Sequence, residues 1–151
     1  MLYRLAHRVR KLVWTVLRPR IHGVRVLAID AAGRLVLIRH SYGSDTWMPP
    51  GGGMRPGEDP VLAGVRELAE ETGLVLGEAR LITVVDEVLH GARNRVHIVA
   101  GHTIGVPRPD GREIVEAGFF SVDALPRNMA GGLATALPDW LALARDHKSD
   151  S

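Results

Sequence analysis

Residues 52–74 read GGMRPGEDPVLAGVRELAEETGL, and this stretch decides how the whole chain is read. Its second half is a helix. Asp59 suits an N-cap, because its carboxylate accepts a backbone N–H of the first turn. Pro60 suits the first helical position, where no N–H is needed. The helix runs to about Thr72, and Gly73 fits the left-handed position just past its end. Upstream, Pro49–Gly57 holds three prolines and four glycines in nine residues, which predicts irregular loop.

Glu67, Glu70 and Glu71 are spaced i, i+3, i+4 on this helix and fall within an arc of roughly 100°. Val61, Leu62, Val65, Leu68 and Ala69 are predicted on the other side, toward a core. Like charges at such spacing oppose the helix by about 0.2–0.5 kcal/mol per pair. They also stand in its C-terminal half, where the macrodipole disfavours anions. Arg66 is the one cation on the helix to offset them. Bound Mg²⁺ or Mn²⁺ would reward hard oxygen ligands placed against their own electrostatics. The plain alternative is a solvated acidic helix face. Gly51-Gly52-Gly53 ahead of the helix weighs toward a site: glycine lets backbone approach a ligand closely, and a glycine loop entering a helix is a general anion site.

Taken together, Gly52-x5-Glu58-x7-Arg66-Glu67-Leu68-x-Glu70-Glu71-x-Gly73-Leu74 fixes nine positions over 23 residues and resembles the Nudix box at each of them. Trp47-x-x-Pro50-Gly51-Gly52, and Glu113-Ile114 ahead of Phe119-Phe120, are also similar to that family, so the resemblance spans about residues 22–146. It implies an α/β/α sandwich around a mixed β-sheet, in the α/β (α+β) class. It also implies a hydrolase that cleaves a phosphoanhydride bond in a nucleoside diphosphate linked to another moiety. By position in the motif, Glu67, Glu70 and Glu71 resemble the metal-binding carboxylates, with the Gly52 carbonyl as a further ligand. Glu58 and Arg66 would orient them. The implied cofactor is Mg²⁺ or Mn²⁺. Glu113, in or after a loop, is the candidate general base or extra ligand, with a surface acid as the alternative. Glu116 lies in the same region.

ADP-ribose or another nucleotide sugar is the first substrate guess. A (d)NTP pyrophosphohydrolase, an RNA 5′-end pyrophosphohydrolase and a catalytically silent nucleotide-binding module are the alternatives. Arg25 and Arg39 are candidates for phosphate contact, and Tyr42 and Trp47 for stacking on a base or ribose, although core packing suits Trp47 better. His40, His90, His97 and His102 show no paired spacing. Asp86-Glu87 interrupts a strand pattern, at a cleft or on a wet face.

Working outward, Val24–Ile29 and Leu35–Arg39 read as a hairpin about the turn Asp30-Ala31-Ala32-Gly33. Ser41–Pro50 reads as loop. Leu81–His90 and Arg95–Ile104 read as strands, Val106–Gly111 as a loop, Phe119-Phe120 as part of a short strand, and Leu133–Arg145 as a last helix whose start Pro138 obscures. Residues 2–17 read as an amphipathic helix ended by Pro19, with Leu2, Leu5, Val9, Leu12, Val13, Val16 and Leu17 on one face. The expected organisation is a basic N-terminal helix over 1–20, a Nudix hydrolase domain over 21–147 and a disordered tail at 148–151.

Charge divides along the same line. Residues 1–25 carry seven cations and no acid, leaving 12 cations against 17 acids in the other 126 residues. The 151-residue chain suits one domain. It has no cysteine, which excludes disulfides, thiolate metal sites and a cysteine nucleophile. No run reaches the roughly 18–20 apolar residues of a membrane span, so a cytoplasmic location is expected. The expected partner is a small nucleotide conjugate, and nucleic acid is disfavoured. Helix 2–17 is expected to pack on the domain or on a second subunit of a homodimer, with peripheral membrane contact through residues 1–20 as the rival.

Overall fold

The computed structural model describes Ala6 and residues 20–41, 45–89 and 92–149, with side chains at 22–41, 45–87 and 93–148. Helix 2–17 (apart from Ala6), Tyr42, His90 and the last two tail residues lie outside that description.

Strand β1 (Arg20–Ile29) turns into β2 (Leu35–His40). Asp30 builds the turn: its Oδ1 accepts from the amides of Ala32 (3.0 Å) and Arg34 (2.8 Å), and Gly33 takes φ 79°. The predicted hairpin survives only at its tip, where Ile29 pairs with Leu35. Beyond it the two strands take other partners. Trp47–Met48 (β3) pairs with the end of β2, and Gly51–Gly53 (β4) pairs with the start of β1. This corrects the expectation of irregular loop over both segments. Extended glycines make ladder bonds as other residues do, and here glycine is required, since a Cβ on Gly51 would meet the Val24 carbonyl oxygen at 2.1 Å.

Helix α1 (Pro60–Thr72) follows, then β5 (Gly77–Leu89), β6 (Ala92–His102), β7 (Ile114–Phe120) and helix α2 (Leu133–Ser149). The last helix runs four residues past the predicted end and carries Pro138 within it. The sheet runs β3-β2-β1-β6-β5, with β4 on β1 and β7 on β2. It is mixed: β1 and β6 are parallel from Arg20/Arg93 to Ile29/His102, while the other pairs are antiparallel.

Successive strand residues point to opposite faces, so each strand feeds two cores. On one face Leu27, Leu35, Leu37, Ile98 and Ala100 pack with Leu133, Leu137, Trp140, Leu141 and Ala144 of α2. On the other, Val24, Val26, Ala28, Val36 and Val99 pack with Ala63 and Leu68 of α1. The result is the mixed α+β sandwich that the resemblance implies. Among the described residues no helix is long and apolar enough to cross a membrane.

Candidate active site

Helix α1 has the ends its sequence specifies. Asp59 accepts from Leu62 N, Pro60 opens the first turn, and Gly73 at φ 74° donates to the Ala69 carbonyl. Its rotation about the axis differs from expectation. Leu62 and Ala69 face solvent, while Ala63, Gly64, Leu68, Glu71 and Thr72 are buried. The small residues at 63 and 64 cause this, because they let the helix sit close to the sheet. A Cβ on Gly64 would stand 3.1 Å from Val99 Cγ1.

That rotation turns the acidic face partly inward, onto β4. Glu71 is 3% exposed, and its Oε1 accepts from the Gly51 amide at 2.8 Å. Glu67 lies against Gly52, where an added Cβ would meet its Oε1 at 2.7 Å. Glycine at 52 is therefore what allows β4 to close on the helix, as glycine at 51 allows it to close on β1. Glu70 stays exposed.

Arg66 ties the assembly together. Its Nε and Nη2 donate to the two oxygens of Glu58, both at 2.9 Å, a bidentate fork. Its Nη1 donates to Glu67 at 3.0 Å and reaches Glu70 at 3.4 Å, and its Nη2 reaches the Gly53 carbonyl at 3.3 Å. Glu58 also accepts from the Arg55 amide. The Arg66 bonds, helped by that amide, hold the Glu58 carboxyl down at about 2, and the Arg66 guanidinium is correspondingly raised. Glu67 moves the other way. Burial pushes its carboxyl up, the charges of Glu70 and Glu113 add to that, and Arg66 only partly compensates.

Burying negative charge beside further negative charge, against the glycine strand β4, gives carboxylate oxygens that fit a hard divalent cation. As the side chains stand, no three acidic or histidine groups among the described residues converge into a closed cage, and Arg66 bridges Glu67 and Glu70 instead.

The remaining candidates are distributed around this centre. Glu113 begins the approach to β7, near enough for its charge to act on Glu67. Arg25, across the ladder from Gly51, makes a 3.1 Å ion pair with Glu87. Of the Asp86-Glu87 pair, Glu87 meets a cation 62 residues away, and Asp86 faces solvent. Arg39 pairs with both Asp45 and Glu116. Trp47 packs edge-on against Phe120 with ring centroids 5.0 Å apart, so it serves the core. His97 bonds the Gly23 carbonyl and stands 5.8 Å from His22, while His102 lies by Lys148 and Glu78.

A mixed sheet between two helices, with a glycine strand latched to an acidic helix, defines a recognisable class of fold and site. A family model described as the NUDIX domain matches residues 19–140, and the chain belongs to the Nudix family. Over 64 residues it is 39% identical to an RNA pyrophosphohydrolase of Rhodospirillum rubrum, a match covering 40% of this chain and 39% of that relative's length. It superposes on the MutT NUDIX hydrolase from Burkholderia pseudomallei with TM-score 0.70 and 26% identity, over 82% of this chain and 97% of that one. It shares its fold with a UDP-X diphosphatase at TM-score 0.69 and 22% identity, over 91% of this chain and 72% of that one.

Proposed function

We propose that this chain is a Mg²⁺- or Mn²⁺-dependent hydrolase that splits a phosphoanhydride bond in a nucleoside diphosphate linked to another moiety, with ADP-ribose and nucleotide sugars as the first substrates. The observation that carries this reading is Glu67. It is held buried and partly uncompensated against Gly52, with Glu70 and Glu113 adding like charge. Such an arrangement costs stability unless a cation is bound.

In this reading Glu67, Glu70, Glu71 and the Gly52 carbonyl would hold the metal, which would supply charge neutralisation at the phosphate oxygens and a lowered pKa for an attacking water. The chain's own residues do the positioning. Arg66, clamped by Glu58, fixes the loop through Gly53 and orients Glu67 and Glu70. Glu71 latches the Gly51 amide and keeps β4 against the helix. Glu113 accepts the proton of the attacking water. No covalent nucleophile is needed, since phosphoryl-type transfer depends chiefly on positioning and charge stabilisation.

Similarity to an RNA pyrophosphohydrolase favours a second reading within the same chemistry, removal of pyrophosphate from an RNA 5′ end. One experiment separates these. The protein is incubated with Mg²⁺ or Mn²⁺ in ¹⁸O-water with ADP-ribose, nucleotide sugars, (d)NTPs and 5′-triphosphate RNA, and products are scored by mass. The expected result is metal-dependent release of a nucleoside monophosphate and a phosphorylated partner, with ¹⁸O in a phosphate group. Label in a sugar hydroxyl sinks the mechanism. Turnover confined to RNA moves the assignment to the second reading, and binding without turnover moves it to a silent module.

A further inference from the structure

Between β6 and β7 the chain makes a turn that is more heavily tied than an exposed connection requires. The Asp110 Oδ1 accepts from three consecutive amides: Arg112 at 2.8 Å, Glu113 at 2.9 Å and Ile114 at 2.9 Å. Gly111, at φ 73°, supplies the left-handed residue that lets the backbone wrap around that oxygen. From the end of β2, Ser41 closes the other side. Its amide donates to the Glu113 carbonyl at 2.7 Å, and its hydroxyl donates to the Arg112 carbonyl at 2.9 Å. Three amides and two carbonyls around Glu113 are thus fixed from two separate points of the chain.

We infer that Asp110 and Ser41 are positioning residues, which hold the backbone on both sides of Glu113 and so fix the point from which its carboxylate projects. The inference rests on the reading that Glu113 acts in catalysis. A proton acceptor on a surface turn must be held to a few tenths of an ångström, and about 1 Å of misplacement costs roughly 10²-fold in rate. The β2–β7 ladder changes register between Arg39 and His40, beside this turn, so regular strand pairing ends before Glu113. Asp110 and Ser41 tie the turn beyond that point.

A double-mutant cycle with Glu113→Gln tests this, using the substrate that is turned over. Asp110→Ala is expected to lower kcat by about 10- to 100-fold with little change in KM. Asp110→Asn, which keeps an acceptor oxygen, is expected to recover most of that loss. Combined with Glu113→Gln, Asp110→Ala is expected to add little, because both act through one carboxylate. Ser41→Ala is expected to show a smaller loss with the same non-additivity, and it carries the cycle if Asp110→Ala does not fold. Amide hydrogen exchange at 112–114 is read in parallel and needs no substrate. It should be slow in the wild type and in Glu113→Gln, and fast in Asp110→Ala.

Losses that multiply overturn the inference, as does a rise in KM at constant kcat or fast exchange in the wild type. Near-wild-type kcat in Glu113→Gln overturns it too. That outcome leaves the metal-site reading standing, because that reading is tested separately at Glu70 and Glu71.

Discussion

Helix α2 and helix α1 cover opposite faces of the same sheet, and they are built to different ends. Helix α2 buries Leu137, Trp140, Leu141 and Ala144 and turns Asp139, Arg145, Asp146 and Lys148 to solvent. These positions follow the rule that apolar surface leaves water and charge stays in it, although Leu143 is left exposed. Helix α1 buries small residues and Leu68, but also Glu71, and it holds Glu67 mostly buried. Its approach to the sheet through Gly64 leaves less apolar surface to bury and brings carboxylates onto β4. The contrast sets a helix face that buries apolar surface alone against one that also buries carboxylates.

The largest expected effect breaks that contrast on the α1 side. Glu70→Gln and Glu71→Gln should each reduce metal-dependent turnover by orders of magnitude while the folded state persists, because each removes charge from the proposed metal site, Glu70 is exposed, and Gln at 71 keeps an oxygen that accepts from the Gly51 amide. Turnover near wild type at limiting Mg²⁺ in either variant removes that residue from the ligand set. Next comes the opposite trade on α2. Leu141→Ala should lower unfolding stability by about 2–5 kcal/mol, with kcat per folded molecule unchanged. Chemical denaturation followed by active-site-normalised assay reads both quantities.

The smallest effect sharpens the comparison within α1 itself, through two carboxylates shifted in opposite directions. Glu58 lies at about 2, below its ordinary 4.5. Its contribution is therefore fully present above pH 4.5 and is lost as pH falls toward 2. Glu58→Gln should lower the metal-free Tm at neutral pH, corresponding to about 1–3 kcal/mol, and leave it unchanged at the acid end of that window. Glu67 is raised by burial, so its charge opposes folding. Glu67→Gln should raise the metal-free Tm at neutral pH even as it removes activity. A fall in Tm there would mean that Arg66 more than compensates the buried charge.

Much of this molecule was legible in the sequence, wherever the determining interaction is local. The ends of α1 follow from Asp59, Pro60 and Gly73, each acting on a backbone group within four residues. The turn at Asp30–Gly33 follows in the same way. The spacing of Glu67, Glu70 and Glu71 behind a glycine loop marked the candidate site, because charges at i, i+3 and i+4 share a helix face in any context. What the sequence could not supply was anything decided by a distant partner. Gly51–Gly53 reads as loop alone and becomes a strand only because β1 and β2 part and leave β1 an open edge. The rotation of α1, and with it the burial of Glu71, was set by how closely Ala63 and Gly64 fit Val26 and Val99. The pairing of Arg25 with Glu87 and the clamp of Ser41 on the Glu113 turn join residues more than 60 positions apart. Periodicity and propensity act over a few residues, whereas strand pairing and side-chain packing depend on which segments the sheet brings side by side.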